Sequence, residues 1–235
     1  MHTLIKTIFG SGVILLLIAT TACADRSPYS GYAPTRFSDD IQRFEQWDQR
    51  ETPQEGAILF IGSSSIRLWA DNLSDDMSPL PVMARGFGGS NMHDVNFFYD
   101  RIVAPYSPSA IVVYVGENDI VQGVSPAGFV EEYRAFVSRA QRDFPGINIY
   151  YLSIKPAPAR RSAWPKMRAA NDALRAYTET SEQLFFIDVA TDMLDSKGNP
   201  RSEIHIADGI HMNRAGYAIW TSILKPVLLE NESQE

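Results

Sequence analysis

An aspartate and a histidine lie three positions apart in the segment Asp208-Gly209-Ile210-His211. A carboxylate at this spacing can bond one imidazole nitrogen and fix the tautomer, which frees the other nitrogen to act as a base. A serine hydroxyl is a poor nucleophile at neutral pH and needs such a base within hydrogen-bond reach. His93 lies in a helix-like stretch and is predicted to be a surface residue, and His205 is predicted to be structural. The pattern therefore indicates His211 as the base and Asp208 as its partner in a serine-dependent reaction.

Three further segments place small or polar residues directly after apolar runs that suit strands: residues 62–65, 85–90 and 116–119. In an open parallel sheet, ligands bind beyond the carboxyl ends of the strands, so these segments and residues 208–211 would meet at one edge of the sheet. Each segment alone is weak evidence, because serine runs often cap helices and glycine-rich or Asn-Asp stretches are often turns. Their occurrence together at successive strand ends favours a shared active site.

Apolar runs alternate with helical patterns along most of the chain. Five runs are short, mostly β-branched or aromatic, and bounded by Gly, Pro or polar residues, as suits strands buried on both faces. They cover residues 57–61, 82–84, 110–115, 147–152 and 184–187. Apolar spacing predicts helices over residues 37–50, from Ser125 onward, around 167–177 and after Asn213. This alternation predicts one α/β domain, a three-layer α/β/α sandwich built on a parallel sheet.

Taken in this order, the four segments resemble the sequence blocks of the SGNH, or GDSL-type, serine hydrolase superfamily (esterases and lipases). Residues 60–69 resemble the first block, with Ser64 at the nucleophile position. Ser63 stands where the family usually has Asp, so Ser63 and Ser65 stay open as alternative nucleophiles. Residues 85–90 and 116–119 resemble the second and third blocks, and residues 208–211 match the Asp-x-x-His of the last block.

The resemblance implies a role for each matched residue. Ser64, Asp208 and His211 would form a catalytic triad, and the backbone N–H groups of Ser64 and Gly89 with the amide of Asn118 would form the oxyanion hole. The resemblance also implies a flavodoxin-like sheet of five parallel strands in the order 2-1-3-4-5. The long irregular stretch 189–212 would then carry Asp208 and His211 back across the sheet edge.

Hydrolysis of carboxylic esters is the activity that the resemblance implies, without a metal or other cofactor. The loops at residues 86–90 and 153–165 are rich in Gly, Pro, Ser, Arg and Lys, so we expect short acyl groups, from acetyl to about butyryl. A lysophospholipase or thioesterase that acts on longer chains is one alternative, and an exported module that binds a glycan without hydrolysing it is another. A metal-dependent phosphoesterase is disfavoured, because no histidine adjoins residues 116–119.

Other polar residues near the four segments carry weaker predictions. Lys155 follows the fourth predicted strand, so it is expected either to contact a substrate oxygen or to be a solvated lysine. Arg67 and Arg85 flank the first two segments and are expected to pair with surface carboxylates. Glu117 is expected to be a structural hydrogen-bond partner.

The amino terminus is predicted to direct export. Residues 1–22 have Lys6 ahead of an apolar run at 8–18 and then small residues, as in a secretory signal peptide. Cys23, the only cysteine, lies where a bacterial lipoprotein is acylated, which predicts a periplasmic or envelope-anchored protein. Cleavage after Ala24 by the ordinary signal peptidase, which would give a secreted protein, and a retained membrane anchor are the alternatives.

The remaining boundaries follow from composition. Residues 23–36 are predicted to be a tether, 37–229 the hydrolase domain and 230–235 a C-terminal tail. The net charge of −7 arises from interspersed residues, and no basic run is long enough to neutralise a phosphate backbone. The expected partners are therefore a small-molecule, glycan or lipid ester, with no nucleic acid and no membrane contact except through the lipid anchor.

Overall fold

A computed structural model describes Tyr29 and residues 33–232. The predicted signal peptide, Cys23 and most of the predicted tether lie outside the described residues. Five parallel strands form one sheet in the order β2-β1-β3-β4-β5. They are β1 (Ile58–Gly62), β2 (Val82–Gly86), β3 (Ala110–Tyr114), β4 (Asn148–Leu152) and β5 (Leu184–Ile187). The predicted fold class and strand order are confirmed.

The register of the strands explains why the predicted segments meet. β1 and β3 are buried along their whole length, as their apolar runs require. Gly62 at the end of β1 is paired with Gly86 of β2 on one side and with Tyr114 of β3 on the other. Three neighbouring strands thus end at the same level, and the segments that follow them emerge side by side.

Seven α-helices within the described residues surround the sheet: α1 (Ser38–Arg50), α2 (Ser64–Met77), α3 (Met92–Ile102), α4 (Glu117–Val121), α5 (Pro126–Asp143), α6 (Trp164–Thr178) and α7 (Arg214–Glu232). The predicted start of α5 is confirmed, because the Ser125 side chain caps the helix by accepting from the N–H of Gly128. α2 and α4, which the sequence analysis did not predict, begin directly after β1 and β3. No helix within the described part of the chain is long and apolar enough to cross a membrane.

Two helices, α2 and α7, pack against one face of the sheet and position the segments that carry site residues. The indole of Trp69 in α2 stacks on Tyr217 of α7, with ring centroids 5.4 Å apart, and meets Trp220 edge-on at 5.7 Å. The Tyr217 hydroxyl also donates to the carbonyl of Ser65, at 2.8 Å. α2 begins at Ser64 and α7 follows His211 closely, so this packing fixes the two segments relative to each other. α3, α5 and α6 pack together on the opposite face, where Tyr133 of α5 contacts Tyr151 of β4.

The long connection after β5 is irregular, as predicted. It contains two short 3-10 helices, Thr191–Met193 and Ser202–Ile204, and an isolated bridge between His205 and Met212. Helical structure differs from the predicted boundaries at both ends of the domain. A 3-10 helix, Pro34–Phe37, precedes α1, and α7 continues to Glu232. The Glu232 carboxylate accepts hydrogen bonds from side chains of β4, which holds the last turn of α7 in place.

Candidate active site

Ser64, His211 and Asp208 form one chain of hydrogen bonds. The Ser64 Oγ lies 2.9 Å from His211 Nε2, and His211 Nδ1 lies 2.6 Å from Asp208 Oδ2. Ser64 and His211 are 147 residues apart in the sequence, so only the fold brings them together. The structure thus joins the three side chains that the sequence analysis grouped.

Ser64 owes its position to the turn between β1 and α2. Gly62 adopts φ +144°, and a Cβ atom at this residue would lie 1.9 Å from the carbonyl oxygen of Tyr114. Only glycine lets β1 approach β3 this closely and still turn into the helix. Ser63 then precedes the helix, and Ser64 is its first residue. Ser64 is partly exposed, whereas Ser63 and Ser65 are buried, so among the three serines it is Ser64 that faces His211.

The Asp208 carboxylate is held by the turn that it begins. Its Oδ1 accepts from the backbone N–H groups of His211 and Ile210, at 2.9 and 2.8 Å, and Oδ2 faces the imidazole. These backbone bonds, together with the His211 side chain, hold the pKa of Asp208 well below its usual range. An ionised carboxylate can only accept, so it fixes the proton of His211 on Nδ1 and leaves Nε2 to accept from the Ser64 hydroxyl.

Asn118 joins the segments after β2 and β3. It is nearly buried in α4, and its Nδ2 donates to the carbonyl of Ser90 at 2.9 Å. The Ser90 hydroxyl donates in turn to the carbonyl of Phe87, at 2.9 Å, within the same loop as the exposed Gly89. The N–H of Ser64 opens α2, where the first amides of a helix have no acceptor within it and favour negative charge. The predicted oxyanion donors therefore belong to segments that emerge together from neighbouring strand ends.

The structure corrects the prediction made for Lys155. The expectation of a solvated lysine is wrong, because its side chain is fully buried. Its Nζ donates to Glu117 Oε2 at 2.8 Å and to the carbonyl of Ile210 at 2.6 Å. Burial is tolerated because the charge is paired with a carboxylate that is itself buried, which also fits the structural role expected for Glu117. The alternative, contact with a substrate oxygen, stays a prediction.

Arg160 is a residue that the sequence analysis missed. It lies in a 3-10 helix, Pro158–Ala163, that follows β4. One guanidinium nitrogen donates to Asn118 Oδ1 at 3.0 Å and lies 3.3 Å from Glu117 Oε1. The rule that selected Lys155, a polar side chain beyond a strand end, also covers this loop and could have identified Arg160.

The other polar residues singled out from the sequence lie in separate contacts. Arg85 is buried, pairs with Asp48 and donates to the Tyr106 hydroxyl at 2.7 Å. His93 is partly exposed in α3, and the buried His205 has its Nδ1 2.8 Å from a backbone carbonyl. Within the described residues, no group of three or more His, Cys, Asp or Glu side chains could hold a metal ion.

Sequence comparison identifies the family. The family model described as "GDSL-like Lipase/Acylhydrolase family" matches residues 59–219, which is more than half of the chain. The chain therefore belongs to this family and is a hydrolase that acts on esters. No curated protein matches the chain by sequence.

Solved structures share the fold. A Streptococcus pneumonia protein assigned as a platelet activating factor superposes with a TM-score of 0.72 at 23% identity, covering 82% of this chain and 93% of the other. A Bacteroides fragilis protein assigned as an acylhydrolase gives 0.71 at 21% identity, covering 82% and 97%. A variant of an acetyl-xylooligosaccharide esterase from Geobacillus Stearmophilus gives 0.58 at 16%, covering 78% and 97%. At these identities the likeness is one of fold.

Proposed function

We propose that the protein hydrolyses carboxylic esters through a covalent acyl-serine intermediate on Ser64. The observation that carries this proposal is the unbroken hydrogen-bond chain from the Ser64 hydroxyl through His211 to Asp208, with links of 2.9 and 2.6 Å. A serine is activated when a neutral imidazole within hydrogen-bond distance can take its proton, and a carboxylate on the far nitrogen stabilises the imidazolium that forms.

In the first half of the reaction, Ser64 Oγ attacks the acyl carbon while its proton moves to His211 Nε2. The carbonyl oxygen becomes an oxyanion, and the N–H groups of Ser64 and Gly89 with the Asn118 amide are the donors proposed to stabilise it. His211 then gives its proton to the departing alcohol oxygen, which leaves the acyl group on Ser64. In the second half, His211 takes a proton from water, the hydroxide attacks the acyl carbon, and the acid is released as Ser64 regains its proton.

Ser64→Ala tests the proposal directly. We expect ester hydrolysis to fall at least about 10⁴-fold, because residual catalysis without the nucleophile comes only from binding and the oxyanion donors. Ser63→Ala and Ser65→Ala are matched controls, since both hydroxyls lie within two positions of the site but are buried. Both should keep most of the activity if they fold.

Covalent labelling with a fluorophosphonate and peptide mapping complete the test. The label should be found on Ser64, and a label on Ser63 or Ser65 would reassign the nucleophile. A folded wild-type protein that turns over no ester in a broad panel would contradict the proposal and favour the non-catalytic, glycan-binding alternative.

The acyl group is proposed to be short, from acetyl to about butyryl. Two observations support this. The 3-10 helix Pro158–Ala163 beside the site has no apolar side chain larger than proline, so it offers little of the apolar surface that a long chain would cover. Each buried CH₂ group would contribute about 0.8 kcal/mol, so a long-chain enzyme would be expected to present such a surface. One protein with a similar fold is an acetyl-xylooligosaccharide esterase.

A series of p-nitrophenyl esters from C2 to C10, run beside acetylated sugars and a lysophospholipid, measures this preference. We expect kcat/KM to peak at C2 to C4 and to decline by about C8, because longer chains would gain no burial. A steady rise toward long chains would instead favour lysophospholipids or long-chain thioesters as substrates.

A further inference from the structure

The orientation of the Asn118 amide is fixed from both sides. A guanidinium nitrogen of Arg160 lies 3.0 Å from Oδ1, and Nδ2 lies 2.9 Å from the carbonyl oxygen of Ser90. A guanidinium can only donate and a carbonyl can only accept, so the reverse orientation of the amide would leave both contacts unfavourable. The second N–H of Nδ2 is then available to a ligand. Arg160 and the Ser90 carbonyl together therefore decide which way the amide of Asn118 faces.

Three charged side chains near Asn118, those of Glu117, Lys155 and Arg160, have formal charges that do not sum to zero. Glu117 carries one negative charge, and two cations share it: Lys155 at 2.8 Å and Arg160 at 3.3 Å. The side chains of Lys155 and Glu117 are 0% and 5% exposed, and that of Arg160 is 20% exposed. Charges removed from water to this degree act on their neighbours more strongly than surface charges do. These three side chains thus carry a net formal charge of +1 beside the oxygen of Asn118.

We propose that Arg160 is a positioning residue for the oxyanion: it orients Asn118 and polarises its amide, so that Nδ2–H becomes a stronger donor. The inference rests on the proposed function, because it takes Asn118 as a donor to the oxyanion. A positive charge at Oδ1 draws electron density from the amide nitrogen, and linked hydrogen bonds strengthen one another in a medium of low polarity. The benefit grows as the carbonyl oxygen becomes negative, so it favours the transition state over the bound ester.

The backbone around Arg160 ties it to the other half of the site. The N–H of Ala159 donates to the carbonyl of Gly209 at 3.0 Å, and Gly209 lies in the turn that holds Asp208 and His211. The N–H of Arg160 itself donates to the carbonyl of Ala157 at 2.9 Å. The segment is therefore held in place by backbone bonds that a change of the Arg160 side chain leaves intact.

Arg160→Met tests the proposal, because methionine keeps the apolar stem and removes the donor and its charge. We expect kcat to fall about 10- to 100-fold, less than the roughly 10²–10³-fold loss for an entire oxyanion donor. KM should stay within about threefold, since the effect concerns the transition state. Glu117 retains Lys155 and the Tyr114 hydroxyl as partners, so the thermal unfolding midpoint should change little. The matched control is Arg161→Met, at the exposed neighbouring arginine, which should leave kcat unchanged.

A double-mutant cycle with Asn118→Ala separates this role from a direct contact with substrate. If Arg160 acts through Asn118, then Arg160→Met should change kcat less than about threefold in the Asn118→Ala background. An equal loss in both backgrounds, or a higher KM with an unchanged kcat, would overturn the proposal and assign Arg160 to the substrate. If Arg160→Met does not fold, Arg160→Leu, which also removes the donor and its charge, is carried through the same cycle with the same criteria.

The outcome also separates this inference from the proposed function. If the Ser64→Ala variant stays active, both the acyl-serine mechanism and this inference are refuted. If the Ser64→Ala variant is inactive but the Arg160→Met variant is fully active, only the role of Arg160 is refuted.

Discussion

Lys155 offers a direct test of how the site is held, because its buried charge connects two segments that carry site residues. Its Nζ donates to Glu117, which precedes Asn118, and to the carbonyl of Ile210, which precedes His211. Methionine has a similar length and volume but no charge and no donor. Lys155→Met therefore removes both bonds with little change in packing.

The expected loss of stability follows from the partners left behind. Breaking a buried ion pair from one side costs about 3–5 kcal/mol, because the remaining charge stays buried and uncompensated. Glu117 would keep Arg160 at 3.3 Å and the Tyr114 hydroxyl at 3.1 Å, and Ile210 is only partly buried, so water can reach the turn. We therefore expect a value near the lower limit, about 3 kcal/mol. For a domain of this size, that corresponds to a decrease of about 6–12 °C in Tm.

Urea unfolding followed by tryptophan fluorescence measures the effect, with a matched control at the exposed Lys197. Lys197→Met should change the free energy of unfolding by less than about 0.5 kcal/mol. The Lys155→Met/Glu117→Gln double variant should lose clearly less than the sum of the two single variants, since the one charge left among these side chains is that of Arg160, which is 20% exposed. A loss below about 1 kcal/mol for Lys155→Met, or strict additivity of the two changes, would refute the argument that this pair is a coupled, buried interaction.

Three further predictions concern the reaction and the amino terminus. Asn118→Ala should lower kcat about 10²–10³-fold, and an unchanged kcat would remove Asn118 from the mechanism. The rate should fall on acidification, because the base must be neutral to accept the Ser64 proton. Asp208, with its lowered pKa, stays ionised as the pH falls, and a pH–rate profile that is flat to about pH 4 would contradict a histidine base. Cys23→Ser should move the protein from the membrane fraction to the soluble fraction, whereas a soluble wild type that begins at Asp25 would favour ordinary signal peptidase cleavage.

The parts of the fold that could be predicted depend on local pattern. The five strands are short runs of β-branched and aromatic residues, and their positions in the sequence agree with the structure to within a residue or two. α2 was missed although Ile66, Trp69 and Leu73 recur at helical spacing and are buried. Its first residues are serines, which also suit a loop.

The parts that could not be predicted depend on contacts between distant segments. A lysine in a loop rich in proline and serine is usually solvated, and nothing near Lys155 in the sequence indicates otherwise. Its partner Glu117 is 38 residues away in the chain, and the carbonyl of Ile210 is 55 residues away. Arg160 and Asn118 are separated by 42 residues. Pairing of this kind appears only when the strand order places β3 beside β4.

Two kinds of support can therefore be distinguished at this site. Asp208 and His211 lie on a partly exposed turn, with side-chain exposures of 39% and 26%, and such turns are mobile unless something holds them. Bonds from Lys155 to Ile210 and from Ala159 to Gly209 hold this turn from inside the protein. Loss of Lys155 should thus lower stability and kcat together, because the base is released along with the turn. Loss of Arg160 should lower kcat with little change in stability, because only the electrostatic environment of Asn118 changes. If both variants lost stability and kcat in the same proportion, the argument that Arg160 acts on Asn118 by charge and orientation would fail.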